Sequence, residues 1–437
     1  MKNLLIIAYY FPPSGGPGVQ RVLKHIKYLP DYGWNPIVLT VKNGEYQAID
    51  ESLLKEIPEG TIVHKSKIYE PYDLYRKFTG RKKGEAIDVN NIKKEGQESK
   101  FMDKVAEQIR ATMFIPDARI GWYFSAIKEA EAILEKYDID AIYSSSPPYT
   151  CSVIANKLQS KTKLPWVAGF RDPWTGFLTT PNRWFLPAAI DRKLEHSVFK
   201  NATAVEAAWQ GIIKDALGKY SDLDEQKFHH VPNGYDSTDF PDIEYSRNEK
   251  FTLTYTGSLY GRRNPKQLFE AIEKLIESGK VDANDLNLTF VGRFGAEVEE
   301  MFDSVSFSDK ITKIGYLPHS ESISYLLKSE VLLLIVDEAK ESQEIVPGKV
   351  YEYLGTKRPL LAIAPLQSAI ADLIYETESG LVAHQNQIDR IAENFLECYN
   401  AWKTGEQLYE PNDEKIEQYE RKNASKKLAG LLDDIVS

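Results

Sequence analysis

The chain predicts an α/β fold of two doubly wound domains, each a parallel sheet with helices on both faces. Three observations carry that expectation. Short apolar runs alternate with stretches of helical periodicity. The alternation restarts about halfway along the chain. At 437 residues the chain exceeds what one hydrophobic core usually organises, so two cores are expected.

In the first half, strands are expected at 4–8, 37–40, 141–144, 166–170 and 202–205. Helices are expected over 19–32, 127–137 and 153–160, with Gly33 as the stop of the first. The second half reads as strand 251–256, helix 265–278, strands 286–291 and 311–314, helix 320–329, then strands 331–336, 360–364 and 380–382. The run Val331 to Val336 is apolar throughout, as in a strand buried on both faces. The joint is placed at Pro232-Asn233-Gly234-Tyr235-Asp236. That gives domains at 1–232 and 233–412, and a charged amphipathic helix over 413–437 that closes the chain. Two such domains are expected to face a central cleft and to close on ligand about a hinge at 233–236.

Composition removes several function classes. A formal net charge of -10 argues against general nucleic-acid binding. Cys151 and Cys398 are too few for a disulfide framework or a cysteine metal site, and fit a reducing cytoplasm. The apolar stretch 4–10 is too short for a signal peptide, and no run approaches the length of a membrane span. Segment 65–110 breaks the rhythm and mixes aromatics with Arg81, Lys82 and Lys83. It reads either as a solvated loop or as a peripheral contact with the inner membrane face or an anionic acceptor.

Open α/β sheets bind ligands beyond the carboxyl ends of their strands, so the loops there are the candidate site. After the first strand, Ser14-Gly15-Gly16-Pro17-Gly18 opens a helix. Its glycines allow close approach of a ligand, or simply make a tight turn. Ser144-Ser145-Ser146 and Arg171-Asp172-Pro173-Trp174 follow two further strands and offer hydroxyls and a charged pair. Arg171 and Asp172 would share one crevice, or would pair structurally. In the second half, Gly257-Ser258-Leu259-Tyr260-Gly261-Arg262-Arg263-Asn264-Pro265-Lys266 supplies cations suited to a diphosphate. Solvated arginines are the ordinary alternative. Gly292-Arg293-Phe294 could line a base or ribose. Last, Glu344 and Glu352 stand eight positions apart, around Pro347-Gly348-Lys349 and the start of a helix. A helix start suits an anion, and carboxylates on either side can accept from sugar hydroxyls. Such pairs also occur on ordinary helices.

These residues together resemble the family-4 retaining glycosyltransferases of surface-polysaccharide type, which have the two-domain GT-B fold. The resemblance covers nearly the whole chain and is carried most specifically by the two glutamates around Pro-Gly-Lys. It implies that Glu344 binds the transferred sugar and Glu352 the nucleotide ribose. Arg262 or Arg263, with Lys266, would neutralise the leaving diphosphate, and Gly15 and Gly16 would border it. Gly257, Ser258, Gly292, Arg293, Pro347, Gly348 and Lys349 complete the donor set. Arg171, Ser145 and Ser146 are assigned to the acceptor, and Asp172 to a sugar hydroxyl. Two departures stand out. The family's basic loop carries an arginine and, five residues on, a lysine, where this chain has Ser258 and Arg263. The family often has a histidine where Asp172 stands.

The implied reaction moves a sugar, with retention and without a metal or other cofactor, from a UDP- or GDP-linked donor to a glycan or polyprenyl-linked acceptor. Asp138-Ile139-Asp140 resembles a metal motif of the other transferase fold, but it precedes a strand. A sugar-nucleotide epimerase and a non-catalytic partner of a transferase are the alternatives on the same fold.

Overall fold

The computed structural model describes residues 1–46, 49–69, 111–112, 114–177, 180–243, 245–337 and 346–436. The chain divides into two compact units, residues 1–233 with 421–437, and residues 234–420.

The first unit holds a seven-stranded sheet in the order β3-β2-β1-β4-β5-β6-β7. The strands are β1 (Lys2–Ile7), β2 (Trp34–Val41), β3 (Ile62–Ser66), β4 (Ala141–Ser146), β5 (Trp166–Phe170), β6 (Ala204–Ala207) and β7 (Phe228–His230). Every pairing is parallel. The order reverses between β1 and β4, so the loops after these two strands diverge and leave a crevice at the carboxyl edge. One face carries α2 (Tyr123–Lys136), α3 (Thr150–Thr162), α4 (Phe185–Asn201) and α5 (Gln210–Lys219). The other carries α1 (Pro17–Tyr28) and α13 (Arg421–Val436), whose Leu428 and Leu432 pack with Val22 and Ile26.

Several expectations are adjusted. The first helix stops at Tyr28, and Leu29–Tyr32 continues as a 3-10 turn, because Pro30 has no N–H for an α-helical bond. Periodicity does not reveal strands β3 and β7 or helices such as α4. Only three residues, Phe-His-His, form β7, too few to show alternation. The closing helix expected from residue 413 is two helices, α12 (Asp413–Glu417) and α13. Between them Tyr419 gives its carbonyl to the Tyr235 N–H at 3.1 Å, so residues 418–420 pair with that segment instead of continuing the helix.

A buried ionic cluster ties the first unit together. The Arg21 guanidinium on α1 donates to Glu206 Oε1 on β6 at 2.6 Å, and to the carbonyls of Val231 and Pro232. Tyr143 Oη on β4 donates to Glu206 Oε2 at 2.6 Å. His25 lies 3.5 Å from the same carboxylate and meets Ser425 Oγ of α13 at 3.0 Å. Gly169 on β5 is required here, because a Cβ would sit 2.4 Å from Tyr143 Oη. Burial pushes the Glu206 carboxyl up, but Arg21, His25 and Tyr143 outweigh it and hold the group at about 2.

The second unit repeats the plan with six parallel strands in the order β10-β9-β8-β11-β12-β13. These are β8 (Phe251–Thr256), β9 (Leu286–Val291), β10 (Ile311–Ile314), β11 (Val331–Ile335), β12 (Leu360–Ile363) and β13 (Gly380–Ala383). Helices α6 (Lys266–Glu277), α7 (Ala296–Ser304) and α11 (Ile388–Thr404) cover one face. Helices α8 (His319–Leu327), α9 (Gly348–Gly355) and α10 (Ala369–Glu376) cover the other, with Ile416 of α12. The reversal here lies between β8 and β11, which brings the basic loop and α9 to one switch point.

Candidate functional site

In the second unit, the site begins where β8 ends. Strands β8 and β11 pair only through Leu253 and Thr254. Beyond that, the Thr256 N–H is taken by Tyr353 Oη of α9 at 2.8 Å. The neighbouring loop is compressed against the end of β9. Gly257 has φ +124° and Gly292 has φ +149°, and a Cβ on Gly292 would lie 1.9 Å from the Gly257 carbonyl oxygen. Both glycines are therefore steric requirements of this strand-end crossing.

At the second residue of α9, Lys349 turns its ammonium back into this corner. Nζ donates to Tyr255 Oη at 3.0 Å and to the Thr256 carbonyl at 3.3 Å, and lies 4.1 Å from the Tyr255 ring centre. A Cβ on Gly257 would be 3.4 Å from it. Among the described residues it has no ion pair. Burial of the ammonium, with the Arg263 charge beside it, pulls its pKa down to about 7 against the weaker pull of Glu352.

Arg263 is the second cation. A tight turn, with mutual backbone bonds between Tyr260 and Arg263, puts Gly261 and Arg262 at its tip. Arg262 is exposed there. The Arg263 side chain is half-buried; its Nε is buried without a hydrogen bond among the described residues, and Nη2 reaches Asp337 only at 4.0 Å. Lys266 is exposed and lies 3.9 Å from Glu270 on its own helix. The three cations of the loop thus separate, and Arg263 alone joins Lys349. Ser258, half-buried, gives its carbonyl to Tyr255 Oη at 3.1 Å.

Glu352 has a partner that the sequence does not suggest. Its Oε1 lies 2.9 Å from His319 Nε2, at the start of α8. Helical spacing cannot show this contact, since 33 positions separate the two residues. Pro347 precedes the first turn of α9 in extended conformation, with no side-chain cap and no acidic residue in that turn. The first N–H groups of the helix, from Gly348 on, therefore lack intrahelical acceptors. Arg293 packs on Tyr316 at 5.2 Å, and both are exposed. Glu344 lies outside the described residues.

In the first unit, the carboxyl-edge loops after β4 and β5 are held by Arg171. Its guanidinium donates to Ser145 Oγ at 2.7 Å and to the Pro147 carbonyl. It also packs against α1, where a Cβ on Gly18 would stand 3.1 Å from Nη2. Gly18 is thus a packing requirement, while Gly16 (φ +98°) begins the helix exposed and Gly15 is half-buried before it. The Ser146 hydroxyl is buried and engaged with Ser152 Oγ at 2.7 Å and with the Pro148 carbonyl. It shapes the loop and is not presented for an acceptor, contrary to the expectation for that residue.

Arg171 and Asp172 do not form an ion pair. Asp172 is half-buried, and its carboxylate has no hydrogen-bond partner among the described residues. Burial raises its pKa, against the attraction of Arg171. Two carboxylates of α4 hold the loop that presents it. Asp191 accepts from Trp174 Nε1 at 2.9 Å and pairs with Arg183 at 2.9 Å; Glu195 accepts from the Thr175 N–H at 3.0 Å. Tyr149 stacks on Trp174 at 4.7 Å. The signal for these supports is two acidic residues facing inward, at i and i+4, on a helix that periodicity does not reveal. Asp140 accepts from the Asn3 N–H at 2.6 Å before β4, at the opposite sheet edge from these loops. Residues 70–110 of the segment expected to meet a membrane lie outside the described residues, and Lys65 and Ser66 end β3. No helix among the described residues is long and apolar enough to cross a membrane.

Comparisons with known proteins agree with this layout. The family described as glycosyl transferases group 1 matches residues 236–415. No curated protein matches the chain in sequence. Among solved structures, a glycosyltransferase from Rickettsia africae ESF-5 superposes with a TM-score of 0.61 at 16% identity, covering 100% of this chain and 99% of that one. Sucrose-phosphate synthase from Thermosynechococcus elongatus gives 0.62 at 11%, with 99% of each chain covered. HepE of Anabaena, solved in complex with UDP, gives 0.59 at 11%, over 99% of this chain and all of the other. Identities this low establish the fold, and the family match is confined to the second unit. The chain therefore has the GT-B fold of two parallel-sheet α/β domains, and its residues 236–415 are similar to the glycosyl transferases group 1 family.

Proposed function

We propose that the chain is a retaining glycosyltransferase that takes a sugar from a nucleoside-diphosphate donor bound by the second unit. The observation that carries this reading is the pair Lys349 and Arg263. Two cations stand at the switch point of a parallel sheet, beside an uncapped helix start; among the described residues Lys349 has no ion pair and Arg263 has only the 4.0 Å approach to Asp337. Structural cations are paired when buried. A desolvated pair left open suits a ligand that brings the negative charge, as a diphosphate does.

In this reading, Lys349 and Arg263 stabilise the charge that grows on the departing diphosphate. Glu352, oriented by His319, accepts from the ribose hydroxyls, and the Arg293–Tyr316 stack offers a face to the base. Asp172 in the first unit accepts a hydrogen bond from a sugar hydroxyl, and Arg171 fixes its loop. The bond from the anomeric carbon to the diphosphate breaks as the acceptor oxygen bonds to the same face. The acceptor proton passes to the leaving phosphate. A UDP- or GDP-linked donor and a glycan or polyprenyl-linked acceptor of a surface polysaccharide complete the assignment. HepE, a fold relative, was solved with UDP, which makes UDP the first nucleotide to test.

A thermal-shift screen against UDP, GDP, ADP, CMP and dTDP and their common sugars tests it. A ligand of the native state raises the melting temperature, by about 2.7 kcal/mol of stabilisation at a hundred times its Kd. One responsive nucleotide, with release of that nucleoside diphosphate on turnover, is the expected result. No response to any of them overturns the donor assignment.

A further inference from the structure

We infer that the carboxyl rim of the first unit, on the side of α2 and α4, docks on an anionic lipid bilayer surface through an exposed apolar edge flanked by cations. The inference concerns where the chain resides and does not depend on its donor chemistry.

The edge is built at the start of α4. Phe185 is 88% exposed, Leu186 68% and Trp184 64%, in three consecutive residues. Ala189 and Ile190, one turn on, are exposed as well. On a helix, positions 185, 186, 189 and 190 share one face, and here that face points to solvent while Val198 and Phe199 enter the core. The first two turns of α4 are thus apolar outward, the reverse of a soluble surface helix.

The rim continues beyond this helix. Because the sheet is parallel, the N-terminal end of α2 and the end of β3 lie at the same carboxyl edge. Phe124, near the start of α2, is 81% exposed, and Tyr69, just past β3, is exposed too. Hydrogen bonds link these points: the Tyr69 N–H to the Gly121 carbonyl, and Arg183 to the Ala111 and Pro116 carbonyls. Scattered single apolar residues are normal on a protein surface, but a group along one edge is not.

Charge selects the occupant. Exposed Lys65 and Lys67 stand beside Tyr69, and exposed Arg192 and Lys193 follow the apolar turns of α4. A protein of net charge -10 thus places cations beside this apolar edge. Aromatic and aliphatic side chains that enter the headgroup boundary, with lysine and arginine at their flanks, are what an interfacial element needs. Each basic residue near an anionic leaflet adds attraction. The acceptor loops after β4 and β5 leave the sheet at this same edge, so a lipid-borne acceptor would meet them at the bilayer surface.

Co-sedimentation of the full chain with vesicles tests the inference. Vesicles of phosphatidylcholine alone are compared with vesicles that also contain phosphatidylglycerol. Binding to the anionic vesicles is expected, with a blue shift of tryptophan fluorescence that Trp184→Ser abolishes. Phe185→Ser with Leu186→Ser should lower partitioning about tenfold or more. Arg192→Glu with Lys193→Glu should remove the preference for the anionic lipid. These positions are exposed, so unchanged circular dichroism and melting would certify the fold. Three outcomes overturn the inference: no binding to either vesicle, equal binding of the Phe185/Leu186 variant, or a dimer in solution that this variant disperses.

Discussion

The two units each bury a pair of basic side chains, and they treat them in opposite ways. In the first, Arg21 and His25 surround Glu206, and every strong charge of that cluster has a partner within hydrogen-bond or ion-pair reach. In the second, Lys349 and Arg263 share a corner with the Tyr255 hydroxyl and the Thr256 carbonyl, and the nearest described carboxylate to Arg263 is 4.0 Å away. The first arrangement drives the Glu206 carboxyl down to about 2, and the second drives the Lys349 ammonium down to about 7. A neutralised cluster holds α1, β4, β6 and α13 in place. An open one stores the electrostatic demand that a ligand can meet. In the proposed reading, the difference separates charges that serve the fold from charges that await a substrate.

The largest effect should come from breaking the closed cluster. Arg21→Met leaves the Glu206 carboxylate buried without its main partner, and a loss of about 3–5 kcal/mol is expected in urea unfolding. Adding Glu206→Leu should recover most of that loss, because the uncompensated charge goes with it. A single variant within about 1 kcal/mol of the parent would contradict the structural role.

The next effect belongs to the open cluster, and it should appear in binding, not in stability. Lys349→Met removes one charge-assisted contact to a diphosphate, worth about 1.5–3 kcal/mol, or roughly ten- to hundredfold in Kd. Calorimetric titration with the responsive nucleotide sugar measures it. The unliganded variant should be at least as stable as the parent near pH 7. The folded pKa of Lys349 lies near 7 and its ordinary value is 10.5. Between these pH values the unfolded chain binds more protons, so this group adds stability as pH rises through that window and subtracts it below. A variant that binds normally but melts early would make Lys349 structural and erase the contrast.

The same titration gives a third test. Only the protonated lysine attracts a diphosphate, so binding should take up a proton. The affinity for a nucleotide sugar should fall as pH rises above 7, by up to about tenfold per unit. Lys349→Arg keeps its charge throughout and should flatten that profile. A flat profile in the parent would mean that Lys349 is already fully charged before ligand arrives.

The smallest effect concerns Asp172, the one carboxylate of the loops after β4 and β5, and without a partner among the described residues. Its folded pKa is raised, so its ionised form burdens the fold above its ordinary 3.8, and the burden fades as pH falls. Asp172→Asn should therefore melt slightly higher than the parent at pH 7 and equally at acid pH, while transfer slows. A lower melting temperature at pH 7 would place Asp172 with the closed cluster instead.

Much of this architecture is legible in the amino-acid sequence. Alternation of apolar runs with helical periods marks most of the strands of both sheets, because a strand buried on both faces can tolerate little else. Strand β3 and the three-residue β7 escape, since they are short or half-polar. The loops that matter are located by following those strands to their carboxyl ends. What cannot be read is which member of a loop turns inward. Arg262, Arg263 and Lys266 look equivalent as residues, yet the turn at Tyr260–Arg263 exposes Arg262, and helix α6 carries Lys266 outward to Glu270. Ser146 reads as an offered hydroxyl and is buried in a loop contact.

The sequence alone therefore determined the two-sheet architecture and the positions of the strand-end loops, because periodicity and strand-end glycines are local properties of the chain. Only the tertiary structure decided that Lys349 folds back under Gly257, that His319 orients Glu352, and that Asp191 and Glu195 brace the loop of Asp172. Each of those contacts joins residues distant in the chain, or depends on a side-chain direction. Burial and charge act through distances in space, which spacing along a sequence does not encode.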